Sequence, residues 1–183
     1  MDIALLDAIQ EHLRSPFMDT LMLSVTYLGD LAVVWFLAAA VLAASSRRRT
    51  YALAVVVAVL LAAAVGTFVL KPLFDRPRPF VAYEFSGLLV PAPSGASFPS
   101  NHSMVSFAAA TALCCLPEKG RGITAAKVAA VVVACLIAFS RLYLYVHYPT
   151  DVAAGALLGV ALGFAAVALA RRIRPDVSPP RTP

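Results

Sequence analysis

Five apolar runs dominate this sequence, each long enough to need something other than water around its side chains. They cover Pro16 to Ser45, Tyr51 to Leu73, Asn101 to Leu116, Ile123 to Tyr143 and Thr150 to Ala170. A helix needs about 20 apolar residues to cross a bilayer. The chain is 61% hydrophobic and 14% charged over 183 residues, whereas a soluble domain is about half apolar and about a quarter charged. One buried core cannot absorb that excess. The expected fold is therefore all-α: a polytopic membrane bundle of five long transmembrane helices, six if the first run is split. Gly29 and Asp30 interrupt that run, but the piece before Gly29 is short, so one kinked helix is expected. The third run is short because Pro117 stops it.

No long polar stretch separates a second domain, so residues 1–174 read as one integral membrane domain and the Pro-rich residues 175–183 as a disordered tail. The first fourteen residues carry Asp2, Asp7, Glu11, His12 and Arg14, so no signal peptide is expected. Their apolar members, Ile3, Leu5, Leu6, Ile9 and Leu13, fall at near-helical spacing and suggest an amphipathic helix lying in the membrane interface. The three cysteines, Cys114, Cys115 and Cys135, lie in apolar runs and read as small buried hydrophobes, not as disulfide or metal ligands.

Net charge is +5, and its placement orients the chain. Arg47, Arg48 and Arg49 follow the first run. Lys119, Arg121 and Lys127 lie around the junction of the third and fourth, and Arg171, Arg172 and Arg174 follow the fifth. Such clusters mark cytoplasmic loops. Nucleic-acid binding needs a basic face on a soluble module, and none is present.

On the opposite face the basic residues should be few, yet Lys71, Arg76, Arg78 and Arg141 are expected there, and an anion is the simplest thing to hold them. Ser100 begins a helix as an N-cap, and the first amides of a helix form an anion site. His102 stands in that first turn. His147 and Asp151 are four apart and share a face if helical; a carboxylate on one imidazole nitrogen leaves the other free to attack. Lys71, Arg78 and Arg141 can hold the non-bridging oxygens of a transferring phosphoryl group. Blander readings compete. Arg76 best fits a snorkelling anchor, His12 a structural histidine, Tyr143, Tyr145 and Tyr148 an interfacial belt, and Asp30 a cap where the first helix restarts.

The joint pattern resembles the type 2 phosphatidic acid phosphatase (PAP2) superfamily, whose soluble relatives include vanadium haloperoxidases. Lys71, six residues, then Arg78 and Pro79 match its first motif. Pro99, Ser100, Asn101 and His102 match its second, except that Asn101 replaces the usual glycine. Ser140 and Arg141, five residues, His147, three residues and Asp151 match its third. Asn tolerates positive φ, so the Asn101 amide is expected to keep pointing at phosphate, with an added polar contact on the leaving side. The resemblance implies a metal-free lipid phosphatase with no cofactor. His147 would be the nucleophile, Asp151 would orient it, and His102 would be the acid and base. Lys71, Arg78, Ser100, Asn101 and Arg141 would bind phosphate.

It further implies a multi-pass protein of a bacterial plasma membrane, with the site on the outer face and a lipid phosphate as partner. The small all-membrane form and the residues Phe98 to Ser103 look most like bacterial undecaprenyl-diphosphate phosphatases. Phosphatidylglycerophosphate, phosphatidic acid and lipid A 1-phosphate are alternatives. So, from another class, is a transporter that moves phospholipid without hydrolysis, or a vanadate-dependent oxidant. The loop from Phe80 to Phe98 is expected to rest on the lipid surface and gate the site.

Overall fold

The computed structural model describes residues 2–175, so the expected tail lies, beyond Pro175, outside the described residues. Among the described residues there are helices and turns and no strand. Lipid favours this, because a helix satisfies every backbone polar group internally. Four helical passages are long and apolar enough to cross a membrane: Pro16–Ala43, Ser46–Ala82, Arg121–Tyr143 and Pro149–Ile173. This is a multi-pass membrane protein.

The N-terminal helix α1 (Asp2–Leu13) does not lie free in the interface. Leu6 is fully buried against Tyr145 and Tyr148. The Gln10 amide donates to the Tyr143 carbonyl (2.7 Å) and the Tyr145 hydroxyl to Asp7 (2.7 Å). Part of the face that the spacing assigned to lipid is thus spent on protein, while Leu5 and Leu13 stay exposed. The tyrosines are corrected with it. Tyr143, Tyr145 and Tyr148 are buried, the first donating to Asp19 (2.5 Å), and form no lipid-facing belt.

The first passage is α2 (Pro16–Gly29) followed by α3 (Val33–Ala43). Ser15 caps α2, accepting from the Met18 amide (3.3 Å), and Pro16 stands at its first position, where a missing N–H costs nothing. The break falls at Leu31 and Ala32, both left-handed (φ 52° and 57°). The kink expected at Gly29 and Asp30 is therefore real, and the passage stays one.

The second passage begins with α4 (Arg49–Ala64), widens into a π-helical segment (Val65–Leu70), and ends in the short helices α5 (Lys71–Phe74) and α6 (Pro79–Ala82). The third run forms α7 (Asn101–Cys114), of 14 residues. At 1.5 Å per residue that is about 21 Å, short of a hydrocarbon core of about 30 Å. Protein surrounds it instead: α7 packs on α4, α8 (Arg121–Tyr143) and α9 (Pro149–Ile173), and eight of its residues are buried. The four long passages fit their expected runs, and the third run forms the short central helix α7.

Glycines set the α7–α9 distance. A Cβ added at Gly155 would lie 2.7 Å from the Ser100 carbonyl oxygen, and one at Gly163 2.7 Å from that of Ala108. At Gly159 it would run into the Met104 carbonyl oxygen, closer still. Small residues four apart let two backbones touch, which is how membrane helices pack without a hydrophobic driving force.

All three basic clusters meet at one end. Arg48 pairs with Glu118 (2.6 Å), Thr50 donates to the Arg174 carbonyl (3.1 Å), and Arg171 to the Tyr51 hydroxyl (2.7 Å). The candidate site lies at the other end.

Candidate active site

The turn between α8 and α9 carries the central histidine. Leu144 ends α8, Tyr145 adopts a left-handed conformation (φ 60°), and Val146 N–H returns to the Arg141 carbonyl (3.2 Å). His147 therefore precedes α9, which starts at Pro149. The expected neighbour relation between His147 and Asp151 holds for a different reason from a shared helical face. Asp151 sits in the first turn of α9, and its Oδ2 accepts from the Tyr148 amide (2.9 Å), folding the carboxylate back toward the turn.

The two side chains do not bond directly. His147 Nδ1 is 3.6 Å from Asp151 Oδ2, beyond hydrogen-bond range. The fully buried Ser97 hydroxyl stands between them, donating to Asp151 Oδ2 in a short bond and lying 3.4 Å from His147 Nδ1. The Ser97 amide donates to the Arg76 carbonyl (2.7 Å), which fixes its place. Asp151 Oδ1 accepts from Arg76 Nη1 (2.7 Å). With the carboxylate thus occupied, the consistent assignment is Nδ1–H to Ser97 Oγ and Ser97 O–H to Asp151. That leaves His147 Nε2 with its lone pair, 3.3 Å from Arg78 Nη1. His147 lies in the link between spans, and burial first of all holds its imidazole below the ordinary value, hence neutral.

Arg76 is no snorkelling anchor. Beyond Asp151, it donates to Thr150 (2.7 Å) and Asp2 (3.1 Å), and its guanidinium lies 3.8 Å over the Tyr148 ring. Its role as partner of Asp151 was missed because an Arg at a span end looks the same in either case. Ser97 carries no periodic signal at all.

Arg78 and Arg141 are each 5% exposed. The prolines around Arg76 and Arg78 keep that stretch extended. Arg78 donates to the carbonyls of Ser94 (3.2 Å), Gly95 (3.0 Å) and Val146 (3.1 Å). Arg141 donates to Thr26, while its Nε is buried and has no partner. The Lys71 ammonium, also without a hydrogen bond or ion pair among the described residues, is within electrostatic reach of Arg78, Arg141 and Asp151. An orphaned buried N–H on one of three neighbouring cations is a site shaped for anion oxygens.

The α7 N-terminus completes it. Ser100 is fully buried and caps the helix, its Oγ accepting from Ser103 Oγ (3.0 Å) while its own hydrogen remains to donate. Its amide donates to the Asp151 carbonyl (3.1 Å), so the Asn101 and His102 amides are those left for an anion. Asn101 does not take the positive φ expected of a glycine substitute; it is the first residue of α7 and helical. Its side-chain Nδ2 donates to the Thr67 hydroxyl in the π segment (2.8 Å), and its Oδ1 packs on Gly66, where a Cβ would collide with it. His102 Nε2 lies 2.9 Å from Asp30 Oδ1. The structure thus gathers Lys71, Arg78, Ser100, Asn101, His102, Arg141, His147 and Asp151 at one end of the bundle. It adds Asp30, Arg76, Ser97 and Thr26. His12 stays outside, exposed beside Glu11.

Two features frame the site. An apolar groove of about 300 Å³ between α3, α4 and α7 ends on Asn101 and His102. The loop after α6 covers part of the other side: Phe85 stacks on Tyr145 (4.1 Å), and Leu88, Leu89 and Val90 pack on the core. Part of its apolar content is therefore half-buried against protein. Among the described residues no three His, Cys, Asp or Glu side chains cluster as metal ligands would.

A family model described as the PAP2 superfamily matches residues 51–175. An undecaprenyl-diphosphatase of Sulfolobus acidocaldarius is 34% identical over 99 residues, covering 54% of this chain and 46% of that protein. Undecaprenyl-diphosphatase BcrC of Bacillus subtilis is 30% identical over 117 residues, covering 63% and 56%. The chain spans about half the length of these curated relatives. Among solved structures, Aquifex aeolicus LpxE superposes with TM-score 0.71 at 30% identity, over 91% of this chain and 94% of that one. A transmembrane PAP2-type phosphatidylglycerolphosphate phosphatase of Bacillus subtilis superposes with TM-score 0.76 at 26% identity, over 95% and 86%.

Proposed function

The chain belongs to the PAP2 superfamily, and from that premise we propose that it is a membrane phosphatase that hydrolyses a lipid phosphate through a phosphohistidine. The observation that carries the reading is the buried, unpartnered Arg141 Nε, at a centre where the lone pair of His147 Nε2 faces Arg78. A phosphoryl group there satisfies the one and meets the other.

His147 Nε2 attacks phosphorus as the bond to the leaving oxygen breaks, and His102 gives that oxygen a proton. Water then attacks phosphorus, His102 takes its proton, and the P–N bond breaks. Lys71, Arg78, Arg141, Ser100 and the Asn101 amide bind the equatorial oxygens, where charge accumulates in the transition state. Arg78 leaves His147 Nε2 for a phosphoryl oxygen once substrate is present. Asp151 and Ser97 hold the imidazole tautomer, and Ser97→Ala is expected to lower kcat about 10- to 100-fold, as loss of a histidine's outer partner does elsewhere. KM should change little, and Ser97→Thr should recover most of the rate.

For the substrate we favour undecaprenyl diphosphate, hydrolysed to the monophosphate on the outer face of a bacterial plasma membrane. Two considerations support it: the two curated relatives carry that activity in their names, and the groove beside His102 is apolar, as a hydrocarbon chain requires. Hydrolysis of a glycerophospholipid monoester is the second reading, favoured by the extent of the likeness to the Bacillus subtilis phosphatidylglycerolphosphate phosphatase. The test is phosphate release by detergent-purified protein from a panel including undecaprenyl diphosphate, phosphatidylglycerophosphate, phosphatidic acid and lipid A 1-phosphate. The polyprenyl diphosphate should be fastest. Release confined to the others moves the protein to the second reading, and no release at all favours transport. Three cations supply the charge a metal would bring, so activity should persist in excess chelator. A loss restored by one particular divalent ion would count against the mechanism.

A further inference from the structure

We propose that Asp30 is the positioning residue of the leaving-group acid: it takes one nitrogen of His102 and leaves Nδ1 as the nitrogen that gives and receives the proton. This deepens the phosphatase reading and rests on it. Three independent features converge at this point. First, Asp30 Oδ1 lies 2.9 Å from His102 Nε2, the one side-chain bond of this carboxylate among the described residues. A carboxylate in an apolar run is costly, and is kept where it has work to do.

Second, the carboxylate is not spent on the helix ends. The first turn of α3 has no side-chain cap, and Asp30 serves there only through its backbone carbonyl, which accepts from Val33. The capping role that its sequence position suggests is thereby set aside. Third, the local backbone takes on strain to present it. Leu31 and Ala32 are both left-handed, a conformation that costs an ordinary residue about 1 kcal/mol or more. Gly29, just before, admits the imidazole, since a Cβ there would lie 2.9 Å from His102 Cδ2. Strain of this kind collects at functional sites.

The chemistry follows from the geometry. Asp30 accepts from Nε2–H, so the proton passed to the leaving group is carried on Nδ1, which takes it up from solvent as the anionic phosphate binds. In the first step the P–O bond breaks, P–N forms on His147, and the Nδ1 proton passes to the leaving oxygen. In the second, the attacking water gives a proton to Nδ1 as P–N breaks, and His102 ends as it began. Asp30 keeps its hydrogen bond to Nε2 throughout. It lies outside residues 51–175, so the part of the chain before the family match supplies this contact.

The dependence on the leaving group separates this role from a structural one. p-Nitrophenolate leaves without a proton; an alkoxide does not. The readout is kcat/KM, which covers binding and phosphoryl transfer onto His147 and excludes hydrolysis of the phosphoenzyme, for p-nitrophenyl phosphate and for a long-chain alkyl phosphate. Asp30→Asn should lower it about 100-fold on the alkyl ester and less than about threefold on the aryl ester, whose retained cleavage also shows that the variant folds. Asp30→Glu should restore much of the alkyl activity. An equal loss on both esters, or none on the alkyl ester, overturns the role of Asp30 while leaving the phosphatase reading intact. A wild-type protein that cleaves neither overturns both.

Discussion

His147→Ala is expected to release phosphate from the preferred lipid at least about 10⁴ times more slowly than the wild type, a loss typical of removing a nucleophile. No other side chain offers a lone pair in its place. Arg78, Lys71 and Arg141 are cations, and Ser97 is bonded to Asp151. The anion cradle should survive, because Arg141 is held by Thr26 and Arg78 by the Ser94, Gly95 and Val146 carbonyls. The variant should therefore still bind vanadate or phosphate, read by protection of the detergent-solubilised protein against heat. Acid-labile phosphoenzyme, trapped in the wild type during turnover, should be missing. A variant that keeps a tenth of the activity would remove His147 from the mechanism.

The largest effect on stability is expected at Gly159→Val. The added Cβ meets the Met104 carbonyl oxygen, and behind it the Phe107 Cβ at 3.0 Å. Backbone cannot rotate away as a side-chain tip can, so α7 and α9 must part. Overpacking of this kind costs about 3 kcal/mol, which lowers the melting temperature by about 6–12 °C for a chain of this size. Gly122→Ala is the control: nothing lies within 4 Å of its added Cβ, and it should melt at or slightly above the wild type. Equal melting of the two variants would show that the α7–α9 contact does not limit stability. Activity should fall with Gly159→Val as well, because Ser100 at the head of α7 bonds Asp151 at the head of α9.

Motif spacing carried most of the site. Lys71, Arg78, Ser100, Asn101, His102, Arg141, His147 and Asp151 were all legible as one set, because a phosphate needs cations, amides and imidazoles at fixed separations. What spacing could not give was the reason for each placement. His147 and Asp151 meet through a turn and a capping carboxylate, not across a helical face. Asn101 fits by leaning on Gly66, not by taking a positive φ. Arg76 and the three buried tyrosines were misread because a lipid interface and a buried polar cluster draw on the same residue types at the end of a span. Asp30 did carry a signal, being an acid within an apolar run, but only its contact with His102 distinguishes a positioning group from a cap. The spacing of the glycines at 155, 159 and 163 was passed over, and it explains how the short helix α7 packs at the centre.

The contacts made by α1 and α2 also set an order of assembly. Asp2 bonds Thr150 across 148 residues, Asp7 bonds Tyr145 across 138, and Thr26 bonds Arg141 across 115. A chain made from its N-terminus exposes these acids and hydroxyls early, and their partners emerge last. Until α8 and the start of α9 are in place, α1 has nothing to dock on and Arg76 lacks the carboxylates on either side of it. The candidate site thus closes as one of the final events of synthesis, and a nascent chain halted in its third passage holds Lys71 and His102 but not the proposed nucleophile, His147.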